Sequence, residues 1–279
     1  MKTEYKILDH GYLKFIEHWG SDERIIEAAR MSTDKGFLGW EQIRSCKICH
    51  SEWIKLPPME QFQTSDQGCP KCSSAVLFPE FTIVDKKSDF NLLQYLYQNA
   101  HSTPFEMAGI VIEVKAPIMV FREWHRHRTQ SFNEMSARYV PLPDENYIPD
   151  LKGVVERANT KTKNKQAQGV NEKIVHEIDA GLWLNQLNYI YQQAEKIYQD
   201  GLKLGIPKEL ARLALPVGRY SKMRACANLR NWLAFLTLRM DYNAQWEIRQ
   251  YANAIFQILN SIYPYTSQLF IEGFNGKQL

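Results

Sequence analysis

The chain has 279 residues, with 34 Lys and Arg against 31 Asp and Glu, a formal net charge of +3, and 44% hydrophobic residues. This length suits one large domain or a core domain with a modest insertion, and such a chain can bury its core without disulfides. The charge is too small to indicate a nucleic-acid partner. Residues 1–30 contain no continuous apolar segment, so we expect no signal peptide, no membrane span and a cytoplasmic location.

The first elements predicted, within residues 1–38, are a short extended segment and a helix. Ser21 is the expected N-cap, and Asp22 and Glu23 stand in the first turn, where the helix dipole favours acidic side chains. Ile25 and Ile26 then begin an apolar stripe at helical spacing.

Residues 40–88 have a different character, because they hold four of the five cysteines as CKIC and CPKC, nineteen residues apart. Without a secretion signal, two CxxC pairs favour metal over disulfides, and this spacing is typical of a structural zinc site. Four thiolates leave no open position on the metal, and His50 is a spare candidate ligand. We therefore predict a zinc-ribbon-like insertion with its own small core, in which the zinc ligands are Cys46, Cys49, Cys69 and Cys72.

The rest of the chain alternates between one clear strand and several helices. Apolar spacing predicts a helix from Phe90 that stops before His101, and residues 109–115 alternate as a strand does. Pro117 can be the first residue of a helix over 118–124. Residues 144–178 are polar and predict a mobile loop. Long helices are predicted at about 180–204 and about 228–259, so the fold class is α+β, with a small antiparallel sheet and long helices.

Two features of the C-terminal half concern single residues. Trp183, Tyr189 and Tyr191 recur at helical spacing and are expected in the core. Cys226, the only cysteine outside the insertion, is expected to be a small buried hydrophobic residue.

The densest polar chemistry lies at residues 126–138, RHRTQSFNEMSAR, with three arginines, an imidazole, two amides and a carboxylate. Guanidinium groups bind phosphate in a bidentate manner and stay charged at any relevant pH. Apolar residues 118–121 lead into the cluster, and Phe132 and Met135 lie within it, which is unusual for a solvated basic surface. The pattern therefore favours a site for a phosphorylated ligand.

This segment resembles the RHRxxSxxExSxR signature of flavin-dependent thymidylate synthases, with every fixed position filled. HSTPFE and KAPIMVFREWHRHR upstream, and ELARLALP and NLRNWLAFLTLRMDYNAQWEIRQYA downstream, are similar to other blocks of that family in the same order. The resemblance implies the fold of this family, interrupted at 40–88 by the insertion. It also implies methylation of dUMP, with methylenetetrahydrofolate as carbon donor and NADPH-reduced FAD as hydride carrier.

The resemblance also implies the site residues and the assembly. It implies that Arg239 is catalytic and promotes ionisation at N3 of the uracil, and that the enzyme is a homotetramer with active sites shared between subunits. The implied contacts to FAD are His101, Thr103, Arg126, His127, Arg128, Glu134, Asn228 and Arg230. The implied contacts to dUMP are Glu123, Trp124, His125, Arg126, Glu134, Met135, Ser136, Ala137, Arg138, Arg212 and Arg239.

Helix geometry leaves one question open. Asn228 and Arg239 are eleven residues apart and fall on nearly the same helix face, whereas Arg230 points to the opposite side of a continuous helix. Either the helix begins after Arg230, or its two faces serve different active sites. The sequence also departs from the family at Glu123, where some members have glutamine, and at Ala234, where others have asparagine near the flavin.

Two alternative functions remain open at this stage. The chain could be a related enzyme that delivers a hydroxymethyl group instead of a methyl group, or one that methylates another uracil nucleotide. The CxxC pairs and the basic signature would also suit a zinc-ribbon nucleic-acid-binding protein, although the mild net charge disfavours it.

Overall fold

The computed structural model describes residues 2–41, 43–54, 83–86, 88–160 and 174–275. Its strands, in chain order, are β1 (Glu4–Ile7), β2 (Gly11–Trp19), β3 (Ile43–Cys46), β4 (Glu52–Ile54), β5 (Ile83–Lys86), β6 (Gly109–Pro117), β7 (Ser131–Glu134) and β8 (Tyr220–Asn228). Its helices are α1 (Asp22–Arg30), α2 (Asp89–Gln98), α3 (Ile118–Trp124), α4 (Leu151–Asn159), α5 (Glu177–Lys203), α6 (Lys208–Ala211), α7 (Leu229–Arg239), α8 (Trp246–Ile262) and α9 (Pro264–Asn275). The α+β class predicted from the sequence is confirmed.

The main sheet has five antiparallel strands in the order β1-β2-β6-β8-β7. β6 and β8 pair along their whole length, from Gly109 opposite Asn228 to Pro117 opposite Tyr220. Alternate residues of both strands, such as Ile112 and Ala225, are fully buried in the core. This central pair carries the signature strand β7 at the edge of the sheet.

Helices α7 and α8 contribute the side chains that cover the buried face. The Trp232 indole of α7 donates a hydrogen bond to the Ile110 carbonyl at 3.1 Å, and the Tyr251 hydroxyl of α8 donates to the Lys115 carbonyl at 2.9 Å. These aromatic side chains bury a large apolar area while their polar atoms stay hydrogen-bonded. Both ends of the central strand are therefore fixed to the helical layer.

The opposite face of the sheet carries Cys226, so the prediction of a buried cysteine is wrong for this chain taken singly. Met223, Ala225 and Ala227 point into the core, and the strand period of two turns Cys226 to the other face. The side chain is partly exposed there, and Cys226 pairs with Val111 and Ser131 on the neighbouring strands.

Strands β3, β4 and β5, from the predicted insertion, form a second antiparallel sheet in the order β4-β3-β5. Both ends of the segment converge on Asp89, whose carboxylate is fully buried. It accepts hydrogen bonds from the backbone N–H groups of Leu38, at 2.6 Å, and Gly39, at 3.0 Å, and pairs with the Arg30 guanidinium. The two ends of the segment 40–88 therefore lie next to each other, and Asp89 connects them to α1 and α2.

Several predicted helices are confirmed. Ser21 caps α1 by accepting from the Arg24 N–H, and α2 ends at Gln98, before His101. The helix expected after Pro117 is present, although Pro117 is its N-cap and the last residue of β6. The helix predicted near 180–204 is α5.

Two predictions in the C-terminal half are wrong. The single helix expected over 228–259 is two helices, because Asp241 forms a turn in which its carboxylate accepts from the Asn243 N–H at 2.8 Å. Part of the loop expected at 144–178 is α4, whose N-cap Asp150 accepts from the Gly153 N–H at 2.7 Å. Residues 161–173 of that predicted loop lie outside the described residues.

The long helix α5 places few of its side chains in the core. Ala180, Ala194, Tyr198 and Gly201 are its buried residues. Trp183 and Tyr189, expected in the core, are 49% and 61% exposed, so the prediction is wrong for these two residues in the single chain, whereas Tyr191 is half-buried. Along the described part of the chain, no helix has the length and apolarity needed to cross a membrane.

Candidate functional site

The signature segment leaves the core through a tight turn between α3 and β7. The N–H groups of His125 and His127 donate to the carbonyls of Phe121 and Trp124, at 2.8 and 3.0 Å, which ends α3. The Trp124 indole is fully buried and donates to the Gln130 side chain at 3.0 Å. This buried contact fixes the turn, so the polar residues between its ends are held at the surface.

Arg239, at the end of α7, closes this turn from the other side. Its Nε donates to His127 Nε2 at 2.8 Å, its Nη1 to Glu123 Oε2 at 3.0 Å, and its Nη2 to the Glu123 carbonyl at 3.0 Å. That carbonyl belongs to the last turn of α3, where a cation is stabilised by the helix dipole. Three predicted site residues from two distant segments thus form one cluster.

Within this cluster, His127 is a neutral acceptor. Burial and the adjacent Arg239 charge lower the pKa of His127 to about 4. The hydrogen bond from Arg239 Nε requires a lone pair on His127 Nε2, which assigns the ring proton to Nδ1. The ring lies against Phe235, with centroids 4.7 Å apart. At neutral pH the His127 ring is therefore uncharged, and it adds no charge to the ion pair of Arg239 and Glu123.

Two cavities adjoin the predicted flavin residues. One, of about 400 Å³, lies between α1, the end of α2 and residues 101–107, and its lining includes His101 and Thr103. The other, of about 140 Å³, shares His101 and adds Phe105, Arg230 and Leu233. Apolar walls with a few polar and cationic groups are typical of cofactor sites.

Arg230 lies in the first turn of α7, and Asn228 is the N-cap of that helix, accepting from the Asn231 N–H at 3.0 Å. The helix therefore does not begin after Arg230. Arg230 and Arg239 are nine residues apart, which places them about 14 Å apart along the axis and on opposite sides. The Arg230 side chain lines the smaller of the two cavities and pairs with the Glu106 carboxylate.

A third group joins the end of the signature to α6. Arg138 Nε lies 3.0 Å from Glu209 Oε2, and the Lys208 ammonium donates to the Tyr139 carbonyl at 2.8 Å. Arg212, another predicted dUMP contact, directly follows α6 and is exposed. The structure thus brings the ELAR block and the signature to the same surface.

The remaining predicted site residues differ in their exposure. Trp124 and Ala137 are buried, so a contact from the Trp124 side chain to a ligand would require this core to open. Met135 and Ser136 are half-buried. The exposed members are His101, Thr103, His125, Arg126, Arg128 and Glu134.

Sequence reasoning missed the residues that hold the arginines. Glu106 and Glu209 pair with Arg230 and Arg138, and Asn231 Nδ2 donates to the Thr129 carbonyl at 3.0 Å, which ties α7 to the signature turn. Glu106 ends the HSTPFE block and Glu209 begins the ELAR block, so both stood inside motifs already singled out. Their partners lie tens of residues away, which the motifs alone could not indicate.

Cys226 lacks the environment of a reactive thiol. Burial and the nearby Glu17 carboxylate raise the pKa of the Cys226 thiol. A raised pKa keeps the sulfur protonated, whereas a nucleophilic cysteine needs the thiolate.

Only part of the predicted zinc site falls within the described residues. Cys46 is fully buried and Cys49 is half-buried, whereas Cys69 and Cys72 lie outside the described residues. Among the side chains that are described, no group of three or more His, Cys, Asp or Glu is placed to hold a metal ion.

The chain is similar to known proteins along nearly its whole length. A family model described as thymidylate synthase complementing protein matches residues 14–265. A flavin-dependent thymidylate synthase from Thermosipho africanus is 34% identical over 271 residues, covering 96% of this chain and 94% of the relative. Another, from Anaplasma marginale, is 32% identical over 275 residues, covering 98% and 76%.

Among solved structures, the UMP/dUMP methylase PolB from Streptomyces cacaoi, bound with 5-Br UMP, superposes with a TM-score of 0.68. Its sequence is 25% identical, and the match covers 96% of each chain.

The relatives that match along nearly the whole chain are named as synthases, which makes this chain an enzyme. The chain belongs to the flavin-dependent thymidylate synthase family, a family of methyltransferases, as its signature indicated. This membership decides against the alternative of a zinc-ribbon nucleic-acid-binding protein.

Proposed function

We propose that this chain converts dUMP to dTMP by reductive methylation, with methylenetetrahydrofolate as carbon donor and NADPH-reduced FAD as hydride carrier. The observation that carries the proposal is the cluster of Arg239, His127 and Glu123 at the signature turn. A guanidinium held by three hydrogen bonds is preorganised to stabilise negative charge on a bound ring.

Two groups of residues suit a flavin dinucleotide: the arginines of the signature turn and the residues that line the two cavities. Arg126 and Arg128 are exposed on the signature turn and offer bidentate donors to a pyrophosphate. The cavities that share His101 combine the apolar surface of Leu96 and Phe105 with the Arg230 guanidinium. Bound FAD would supply the hydride chemistry, which amino-acid side chains do not provide.

This assignment of Arg128 has a direct test. Arg128→Ala should lower flavin occupancy, measured by the visible absorbance of the purified protein, while its circular dichroism stays unchanged. Arg24→Ala is the matched control, since Arg24 is an exposed arginine of α1 that pairs with Glu27 of the same helix. Full flavin loading of Arg128→Ala would contradict the role.

In the proposed reaction the protein orients and polarises its substrates. Arg239 would stabilise negative charge that develops on the uracil, and His127 would accept from Arg239 without adding positive charge. Arg138 and Arg212 would bind the nucleotide phosphate. The protonated thiol of Cys226 supports a reaction without an enzyme cysteine nucleophile.

A second substrate is favoured by one observation, the similarity to a UMP/dUMP methylase. The protein should be given equal dUMP and UMP in competition, with ¹³C-labelled methylenetetrahydrofolate, NADPH and FAD. We expect labelled dTMP as the main product by mass spectrometry. Labelled 5-methyl-UMP in excess would assign the alternative substrate, and a hydroxymethyl product would contradict the proposed reaction.

The insertion is proposed to bind one structural zinc ion through Cys46, Cys49, Cys69 and Cys72. The described half of this site supports the idea, because the Ile48 N–H donates to Cys46 Sγ at 3.4 Å, and the His50 N–H donates to the Cys46 carbonyl at 3.0 Å. His50 has φ 57°, which turns the chain around the sulfur. Backbone donors around a metal-binding atom are the usual outer shell of a metal site.

Elemental analysis of protein purified without added metal should find about one zinc per chain. Cys46→Ser should lose this zinc and make residues 40–88 sensitive to protease, whereas the matched control Cys226→Ser should keep it. We expect Cys46→Ser to retain flavin, since the arginine cluster is separate. Absence of zinc from the wild-type protein would contradict the site, and loss of flavin along with zinc would contradict its independence.

Assembly into a homotetramer with shared active sites is also proposed. Two observations support it. Arg230 and Arg239 project from opposite sides of α7. In addition, α5 exposes a row of large apolar side chains, and such a patch is typical of a protein–protein interface. These side chains are Ile178, Leu182, Trp183, Tyr189, Ile190 and Ile197.

Light scattering should give four times the mass of the chain, and Trp183→Glu should lower it. A monomeric wild-type protein would contradict this assembly. The cytoplasmic location remains a prediction from the sequence.

A further inference from the structure

We propose that the Glu123 carboxylate is a resident counter-ion of Arg239 that the substrate nucleotide must displace. Glu123 would then determine affinity by competing with the substrate, not by binding it. This inference rests on the proposed function, because it takes dUMP as the ligand of Arg239.

The groups that hold Arg239 in position are distinct from the group that neutralises its charge. A guanidinium has five N–H groups, and three of them are bonded here: to His127 Nε2, to the Glu123 carbonyl and to the Glu123 carboxylate. Two of the three acceptors are neutral and do not involve the carboxylate. If the carboxylate is removed, the neutral acceptors still hold the guanidinium in place. The carboxylate therefore mainly neutralises charge.

Exposure indicates which partner can leave. The Arg239 side chain is 16% exposed, whereas that of Glu123 is 45% exposed. A half-exposed ion pair contributes little stability, because water solvates the carboxylate when it swings away. A ligand oxygen that replaces it receives a charge-assisted hydrogen bond from a fixed donor. Exchange of the carboxylate for the ligand is therefore physically accessible.

Two of the other candidate ligand arginines also have a carboxylate partner. Arg230 pairs with Glu106, and Arg138 pairs with Glu209. The Arg138 pair is more exposed, at 58% and 49%, and so competes more weakly with a ligand. Glu123 is paired with the least exposed of these arginines, where removal of the carboxylate should have the largest effect.

The test is isothermal titration calorimetry, in which dUMP is titrated into the FAD-loaded wild type and into FAD-loaded Glu123→Gln. Glutamine keeps the shape and one acceptor but removes the charge. We expect Glu123→Gln to bind dUMP about three- to fivefold more tightly, the size of one half-exposed ion pair. The advantage should shrink at high ionic strength, where salt already screens the Glu123–Arg239 attraction.

The matched control is Glu156→Gln on α4, which makes the same change in net charge at an exposed side chain paired with Lys152. It should leave dUMP affinity unchanged, which separates a local effect from the overall charge. Flavin occupancy of Glu123→Gln should equal that of wild type, which excludes damage to the fold.

Two results are decisive against the inference. If wild type binds dUMP and Glu123→Gln binds it equally or more weakly, Glu123 binds or positions the ligand and does not compete with it. If the FAD-loaded wild type binds no dUMP, the proposed function itself is wrong, and this inference falls with it.

Discussion

Replacement of Arg239 should damage catalysis far more than folding. In Arg239→Ala, His127 Nε2, the Glu123 carboxylate and the Glu123 carbonyl lose the hydrogen bonds that Arg239 donates. Each neutral hydrogen bond contributes about 1 kcal/mol net, and water can reach these acceptors because Glu123 is half-exposed. The free energy of unfolding should therefore fall by only about 1–2 kcal/mol.

The expected loss in turnover is larger. Removal of one preorganised electrostatic donor typically costs about 10²–10³-fold in kcat, or roughly 3–4 kcal/mol of transition-state stabilisation. Turnover of Arg239→Lys should also be impaired, because an ammonium lacks the planar fork that contacts His127, the Glu123 carboxylate and the Glu123 carbonyl together.

The assay is steady-state formation of dTMP at saturating dUMP, alongside urea denaturation of each variant. Arg24→Ala is the control, because it removes an exposed arginine on α1 that pairs with Glu27 in the same helix. It should keep both activity and stability. Equal turnover of wild type and Arg239→Ala would contradict a catalytic role for Arg239.

Three further predictions concern stability. The pKa of His127 in the folded state, about 4, lies below its ordinary value of 6.5, so the stability linked to neutral His127 is present above pH 6.5 and is lost as the pH falls towards 4. Between pH 7 and pH 4.5, the free energy of unfolding should therefore fall by about 1–2 kcal/mol more in wild type than in His127→Gln, after a discount for partial exposure. Urea titrations measure this difference, and an equal fall in both proteins would contradict the prediction. Asp89→Ala should cost about 3 kcal/mol, because it leaves the Arg30 guanidinium without its buried partner, and an unchanged denaturation midpoint would show that the junction is not fixed there. Asp150→Ala should cost about 1 kcal/mol and speed hydrogen exchange in α4, whose first turn Asp150 caps; unchanged exchange would show that the cap contributes nothing.

Local signals in the sequence predicted the elements that depend on neighbouring residues. Ser21 predicted the start of α1, and the alternation over 109–115 predicted the central strand. The strand β8 was missed, because its inward residues include Ala225 and Ala227, which have weak strand preference although they alternate correctly. The break after α7 had a signal in Asp241, which an overall helical pattern concealed.

The residues of the candidate site were predicted by motif, but their contacts were not. No motif indicates that Arg239 donates hydrogen bonds to Glu123 and His127, which are more than a hundred positions away. Such contacts depend on how α7 packs beside α3, which is a property of the whole core. The pairing of Arg138 with Glu209 was missed for the same reason.

In the proposed reaction, flavin and not an enzyme cysteine supports methyl transfer. The most direct measurement is single-turnover formation of ¹³C-labelled dTMP by Cys226→Ala, compared between protein loaded with FAD and the same protein stripped of FAD. We expect FAD-loaded Cys226→Ala to form dTMP as wild type does, and the stripped protein to form none. Loss of dTMP formation in FAD-loaded Cys226→Ala would contradict the dispensability of the cysteine, and formation of dTMP without flavin would contradict the dependence on FAD.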